Sequence, residues 1–179
     1  MANKNTADIG FEKEIWDAAC VLRGNMDASE YKSVILGLIF LKYISDSFEE
    51  KYQELVDEGD GFEEDRDEYI SENIFYVPAG ARWKDIAEEA HKPEIGTVID
   101  KAMITIEEEN KKLKGILPKN FAREELDKRR LGEVVDLFTN VRMADGTDEK
   151  DLLGRTYEYC LRNFAEQEGK NAGQFYLVW

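Results

Sequence analysis

One histidine, two cysteines and three prolines are all that 179 residues provide of the types that most often bind metals, form covalent intermediates or interrupt helices. With one His and two distant Cys there is no zinc constellation. A Cys–His nucleophile pair is formally possible from Cys20 or Cys160 with His91. Both cysteines, however, sit in helix-like apolar patterns that predict buried free thiols in a reducing cytoplasm, with a single disulfide between them as the alternative. His91 stands between Ala90 and Lys92 on a polar stretch and reads as a surface residue. The one Gly-x-Gly, Gly59-Asp60-Gly61, lies in acidic surroundings with no strand before it, which excludes a dinucleotide or phosphate loop. No apolar run reaches the roughly 18 residues that a membrane span requires. The longest, Val34 to Leu41, is interrupted by Gly37. The start, Met1 to Thr6, has no apolar core of a signal peptide, so a cytoplasmic location is expected. With 39 Asp and Glu, no carboxylate pair stands out as acid and base. Neither a catalytic residue nor a metal ligand is expected here.

What the chain does have is core-forming material and an uneven charge. Its 42% apolar and 11% aromatic residues are globular values, enough for one ordinary domain. A net charge of −15 disfavours unaided binding to duplex DNA, whose affinity comes mainly from phosphate neutralisation. From Glu49 to Glu72 there are twelve acidic and two basic residues; from Lys111 to Arg130 there are eight basic and three acidic. The ordinary explanation of both runs is a solvated helix face.

Helical spacing dominates the rest. Ile9 to Leu22 predicts a first helix with Phe11, Ile15, Trp16, Ala19 and Cys20 inward. Asp27 to Leu55 predicts a long one, apolar at 31, 34, 35, 38, 41, 44, 48, 52 and 55, widened by Ile39, Phe40 and Tyr43. Asp27 and Glu30 form a capping box at its start. A buried helix of roughly 40 Å needs other helices to cover it. After Gly59-Asp60-Gly61 a short acidic helix, Phe62 to Asn73, carries Tyr69 and Ile70 inward. Ile74 to Val77 is β-type, Pro78 and Gly80 break it, and a short helix begins near Trp83, an anchor to the core. Pro93 suits the first turn of the next helix, which presents Ile95, Val98, Ile99, Ala102, Ile106 and Leu113 and closes at Gly115. Leu117 to Phe121 is a linker, and Asp127 to Val141 resumes the helical pattern. A last helix runs from an Asp148 cap through Phe164, and Gln174 to Trp179 is extended. The expected fold is an all-α bundle of six or seven helices, with at most minor β structure near 74–78.

Five segments in order carry a family resemblance: Trp16 to Leu22; Tyr31 to Tyr43; Phe75-x-x-Pro78-x-x-Ala81-x-Trp83; Leu153-Gly154-Arg155-Thr156-Tyr157-Glu158-Tyr159; and Gly173-Gln174-Phe175-Tyr176. Together they resemble the N-terminal helical domain of the modification (M) subunit of type I restriction-modification systems. The last is similar to the start of that family's Gly-[Glu/Gln]-[Phe/Tyr]-[Phe/Tyr]-Thr-Pro motif. Leu177 and Val178 depart from it where Thr-Pro would stand. No two prolines are adjacent, so the catalytic Asn-Pro-Pro-[Tyr/Phe] is not in this sequence.

The resemblance implies an adenine-N6 DNA methyltransferase using S-adenosylmethionine, with two M subunits flanking a sequence-reading specificity (S) subunit and restriction (R) subunits joining them. Residues 1–172 would be the helical domain, which assists assembly and closure around double-stranded DNA. Residues 173–179 would begin the methyltransferase domain, and the expectation is of a truncated subunit or an isolated domain. Gln174, Phe175 and Tyr176 match positions that begin the cofactor pocket, but the other walls are missing, so this sequence alone is expected to bind no cofactor and to be inert. Lys111, Lys112, Lys114, Lys119, Arg123, Lys128, Arg129 and Arg130 are candidate phosphate contacts, which position a protein without reading sequence. The alternative is a free-standing acidic helical interaction module, a regulator or DNA mimic.

Overall fold

The apolar positions between Val34 and Leu55 become the inner face of α1, Ala28–Glu58, 31 residues long. The computed structural model describes residues 28–140, with side chains from residue 33 onward, together with Asp17 and Cys20. Val34, Ile35, Leu36, Leu38, Ile39 and Leu41 are all buried, so the first half of α1 is enclosed nearly all round. Each such side chain contributes about 1.5–3 kcal/mol on removal from water, enough to outweigh the weak helix propensity of β-branched Val34, Ile35 and Ile39. Gly59, at φ 77°, stops the helix, its N–H donating to the carbonyls of Leu55 and Val56 at 3.3 and 3.1 Å.

Four further α-helices and one 3-10 turn follow among the described residues: α2, Arg66–Ile70; α3, Trp83–Glu88; α4, Ile95–Glu109; the turn Lys111–Leu113; and α5, Lys128–Thr139. The short α3 is the hub, packing against α1, α4 and α5, while α4 and α5 also pack on each other. The described architecture is all-α. The core runs from Val34 and Phe48 through Trp83, Ile99, Met103 and Ile106 to Val135 and Phe138. Gly37 is where the linker closes on α1: a Cβ there would meet Pro118 Cγ at 2.5 Å and Phe121 Cζ at 3.4 Å.

Several local expectations change. The acidic helix after Gly61 is only Arg66–Ile70, because Phe62 to Asp65 forms a turn and Asp65 caps the helix by accepting from the Asp67 N–H at 3.0 Å. Tyr69 is buried, but Ile70 is 47% exposed: α2 is too short to turn both inward. Asn73, in the turn that follows it, sits at φ 61°, a conformation Asn tolerates. Pro93 lies before α4, not in its first turn, and Glu94 is the N-cap. Residues 74–77 form no strand. Cys20 is a free, exposed thiol, not a buried one; it shares a helix face with exposed Asp17 three residues before it. Cys160, the rest of the first helix, the Asp27 cap, the helix expected after Asp148 and the end of the chain lie outside the described residues.

Candidate nucleic-acid interface

The Phe75–Trp83 loop is held by buried polar contacts that no periodicity announces. The Trp83 N–H donates to Ser45 Oγ on α1 at 2.7 Å, and its indole Nε1–H donates to Thr139 Oγ1 on α5 at 3.0 Å. The same indole lies 6.3 Å from the Phe138 ring and 5.6 Å from Lys42 Nζ, itself paired to Asp46 at 2.7 Å. Trp83 is therefore the anchor the sequence predicts. Asn110 does for Tyr76 what a neighbouring strand would: its side-chain oxygen accepts from the Tyr76 N–H at 3.0 Å, and its Nδ2 donates to the Tyr76 carbonyl at 2.8 Å. A second bond from Nδ2 to the Ile106 carbonyl, 2.8 Å, ties that pair to α4.

Arg82, buried, pins the acidic segment to the core. Its Nε–H donates to the Val77 carbonyl at 3.1 Å and its NH2 group to Glu64 at 2.9 Å, while the guanidinium stacks 4.6 Å from Phe48 and 5.1 Å from Tyr52. The Arg82 hydrogen bond holds the Glu64 carboxyl below the usual carboxylate range. Lys51 on α1 bridges Glu72 at 3.0 Å, and Arg66 reaches Glu109 at the end of α4 at 3.4 Å. The acidic stretch is thus tied to the core through the buried Arg82 and Lys51, with the exposed Arg66–Glu109 pair adding little.

The eight candidate phosphate-contacting cations fall into three groups. Lys119 and Lys128 have partly buried side chains bonded to the fold. Lys119 pairs with the buried Glu107 carboxylate, whose Oε2 also accepts from the Leu117 N–H at 3.1 Å. Lys128 Nζ donates to the Arg123 and Leu126 carbonyls, the latter at 2.6 Å, and its stem covers Gly96, where a Cβ would meet Lys128 Cε at 2.8 Å. Arg123, Arg129 and Arg130 are surface residues, each beside an acid: Glu125 at 3.4 Å, Glu133 at 3.8 Å and Asp127 at 3.8 Å. Such exposed pairs are worth little and break readily. Lys111, Lys112 and Lys114 form the third group, exposed on and beside the 3-10 turn with no ion pair among the described residues.

A cleft of about 300 Å³ opens beside the second group, lined by Ala90, His91, Lys92, Pro93, Lys128 and Arg129. His91 is exposed, as expected, and faces Asp136 at 2.8 Å. The lysines and arginine of the lining already have partners: Lys92 pairs with Glu89 at 2.8 Å, Lys128 bonds backbone carbonyls and Arg129 lies 3.8 Å from Glu133. Among the described residues no cluster of three or more His, Cys, Asp or Glu side chains is arranged to hold a metal ion, and no helix is long and apolar enough to cross a membrane. Gln174, Phe175 and Tyr176 lie outside the described residues. Sequence patterns did not single out Ser45, Arg82 or Asn110, whose polar character on buried positions was the available signal.

Residues 11–138 match the family model of the HsdM N-terminal domain, and residues 148–177 match that of N-6 DNA Methylase. The chain is 35% identical to the type I restriction enzyme MjaIX methylase subunit of Methanocaldococcus jannaschii, over 93% of its own length and 33% of that protein's. It is 32% identical to the HindI methylase subunit of Haemophilus influenzae over 56% of this chain and 27% of that one. For the MpnII methylase subunit of Mycoplasma pneumoniae the figures are 25%, 93% and 37%. The chain spans about a third of the length of these curated relatives. With a family model covering most of its length and a buried framework under the Phe75–Trp83 motif, this chain belongs to the HsdM N-terminal domain family.

Proposed function

We propose that this chain is the N-terminal helical domain of the M subunit of a type I restriction-modification methyltransferase, an enzyme that methylates adenine N6 in DNA, and that it works in the cytoplasm. The observation that carries the reading is the match of residues 11–138 to the HsdM N-terminal domain, followed in the same chain by the match of residues 148–177 to N-6 DNA Methylase. The domain's part is assembly with the S subunit, a second M subunit and the R subunit, and closure of that assembly around double-stranded DNA. S-adenosylmethionine supplies the methyl group in the complete subunit. Gln174, Phe175 and Tyr176 begin its pocket, and residues 28–140 contribute scaffold and surface charge rather than a reacting group.

The test is assembly. Coexpressed with a cognate S subunit, the M subunit carrying this domain forms a complex that binds and methylates duplex DNA, and deletion of residues 11–138 abolishes DNA closure and lowers affinity. A deletion variant that assembles and binds DNA as tightly as the complete subunit would refute the role. By calorimetry, the 179-residue chain alone binds no S-adenosylmethionine; micromolar binding would contradict an incomplete pocket.

A further inference from the structure

The eight cations between Lys111 and Arg130 are not equivalent, and the structure separates them by what already holds each one. Every carboxylate that could neutralise the Lys111–Lys114 turn and is committed elsewhere can be named. Glu107 is held by Lys119 and the Leu117 N–H. Glu109 lies 3.4 Å from Arg66 in an exposed pair. Glu108 is the remaining acid nearby, exposed on the last turn of α4. Lys111, Lys112 and Lys114 therefore concentrate three positive charges within four residues, with no carboxylate within ion-pair distance among the described residues.

The turn is also rigid. Leu113 is 5% exposed and roots it in the core, while the lysines on either side of it in sequence are exposed. Asn110, immediately before it, is fixed by its three bonds to Tyr76 and Ile106. Gly115, immediately after it, turns the chain at φ 76°, a conformation that would strain any residue with a side chain. Next to it Ile116 is 53% exposed. The backbone bonds from Leu113 N–H to the Asn110 carbonyl, 2.9 Å, and from Ile116 N–H to the Leu113 carbonyl, 3.0 Å, close the loop on itself. A rigid display of unneutralised lysines loses little conformational entropy in the backbone on binding a polyanion.

The geometry points to the Lys111–Lys114 turn as the element of this domain that contacts DNA phosphates, with Lys119 and Lys128 as structural cations and the three arginines as minor contributors. This rests on the DNA-closing role proposed above and narrows it to three side chains. Phosphate contact by lysine is sequence-independent, so the turn adds affinity and salt dependence without base preference.

The experiment measures binding of a fluorescent duplex by the assembled M–S complex across a salt series. Two variants are compared: K111Q/K112Q/K114Q and R123Q/R129Q/R130Q. The lysine variant is expected to reduce the slope of log affinity against log salt by about 2–3, since each phosphate contact contributes about 0.9. It also weakens binding at least tenfold at low salt, equally for cognate and unrelated sequences, while the arginine variant changes the slope by less than about 1. The three lysine side chains make no hydrogen bond to the fold among the described residues, so the substitutions leave folding intact, which an unchanged melting curve verifies. A normal slope in the lysine variant with a reduced one in the arginine variant overturns this assignment and leaves the DNA-closing role standing. Normal slopes in both overturn the phosphate contact altogether. If the lysine variant fails to assemble with the S subunit, or assembles with a changed stoichiometry but an unaltered salt slope, the turn meets an acidic protein surface and the assignment is wrong.

Discussion

Replacing Gly132 with alanine should destabilise the domain, although helix propensity argues the opposite. Gly132 lies inside α5, where Gly→Ala normally gains about 1 kcal/mol. A Cβ at this position would sit 2.1 Å from the Ala90 carbonyl oxygen and 3.1 Å from its carbon. Both are backbone atoms, so no side-chain rotation relieves the clash, and α5 must move off the Ala90 turn by about 1 Å to restore ordinary contact. That motion pulls Phe138 from the Trp83 ring and lengthens the Trp83–Thr139 hydrogen bond, now 3.0 Å. Overpacking of this kind costs about 1–3 kcal/mol, and a weakened buried hydrogen bond about 1 more. Against the propensity gain, the net loss is about 1–3 kcal/mol, a fall in Tm of roughly 3–10 °C for a chain of this size. Urea and thermal unfolding of the 179-residue chain measure it, with Thr97→Ala, an exposed site on α4, as a control expected within about 0.5 kcal/mol of the parent. A Gly132→Ala chain as stable as the parent, or more so, would show that α5 does not rest on the Ala90 carbonyl.

Leu38→Asp, at a fully buried position of α1, should abolish cooperative unfolding, since an unpaired buried carboxylate costs more than about 4 kcal/mol; a retained sharp melting transition would show α1 is not central. Asn110→Ala leaves the Tyr76 N–H and two carbonyls without their partner and should cost about 2–4 kcal/mol, with faster amide exchange at Tyr76; unchanged exchange there would refute the bracing role. The Glu64 carboxyl is held below its ordinary value of 4.5 by Arg82, so its contribution to stability is complete above that pH and disappears as pH falls through the lower folded value. Glu64→Gln should therefore flatten the stability profile below about pH 4.5 and nowhere else, as acid titration of urea midpoints would reveal; an identical acid limb in parent and variant would refute it.

How much was legible depended on whether the determining partner was near in sequence. The apolar face of α1 and its end at Gly59 follow from periodicity and from the conformation only glycine adopts freely. Ile74–Val77 reads as a strand because its residues suit one, but a strand needs a second backbone beside it. Here the partner is the single side chain of Asn110, 34 residues on from Tyr76. The polar groups buried on α1 were opaque for the same reason: Ser45 answers to the Trp83 N–H and Lys51 to Glu72. The basic stretch was legible as a stretch but not as a surface. Only the fold shows that Lys119 and Lys128 have partners within it while, among the described residues, Lys111, Lys112 and Lys114 make no ion pair.

The bridge between Arg66 and Glu109 brings the two oppositely charged stretches of the chain side by side, since Glu109 ends the helix from which the lysine turn springs. Positive and negative side chains therefore adjoin at one edge of the domain, the lysines at the turn and the carboxylates of the acidic stretch at α2. Such a gradient exerts a torque as well as a pull. On the proposed phosphate contact, it would favour one orientation of a rod of negative charge over the others.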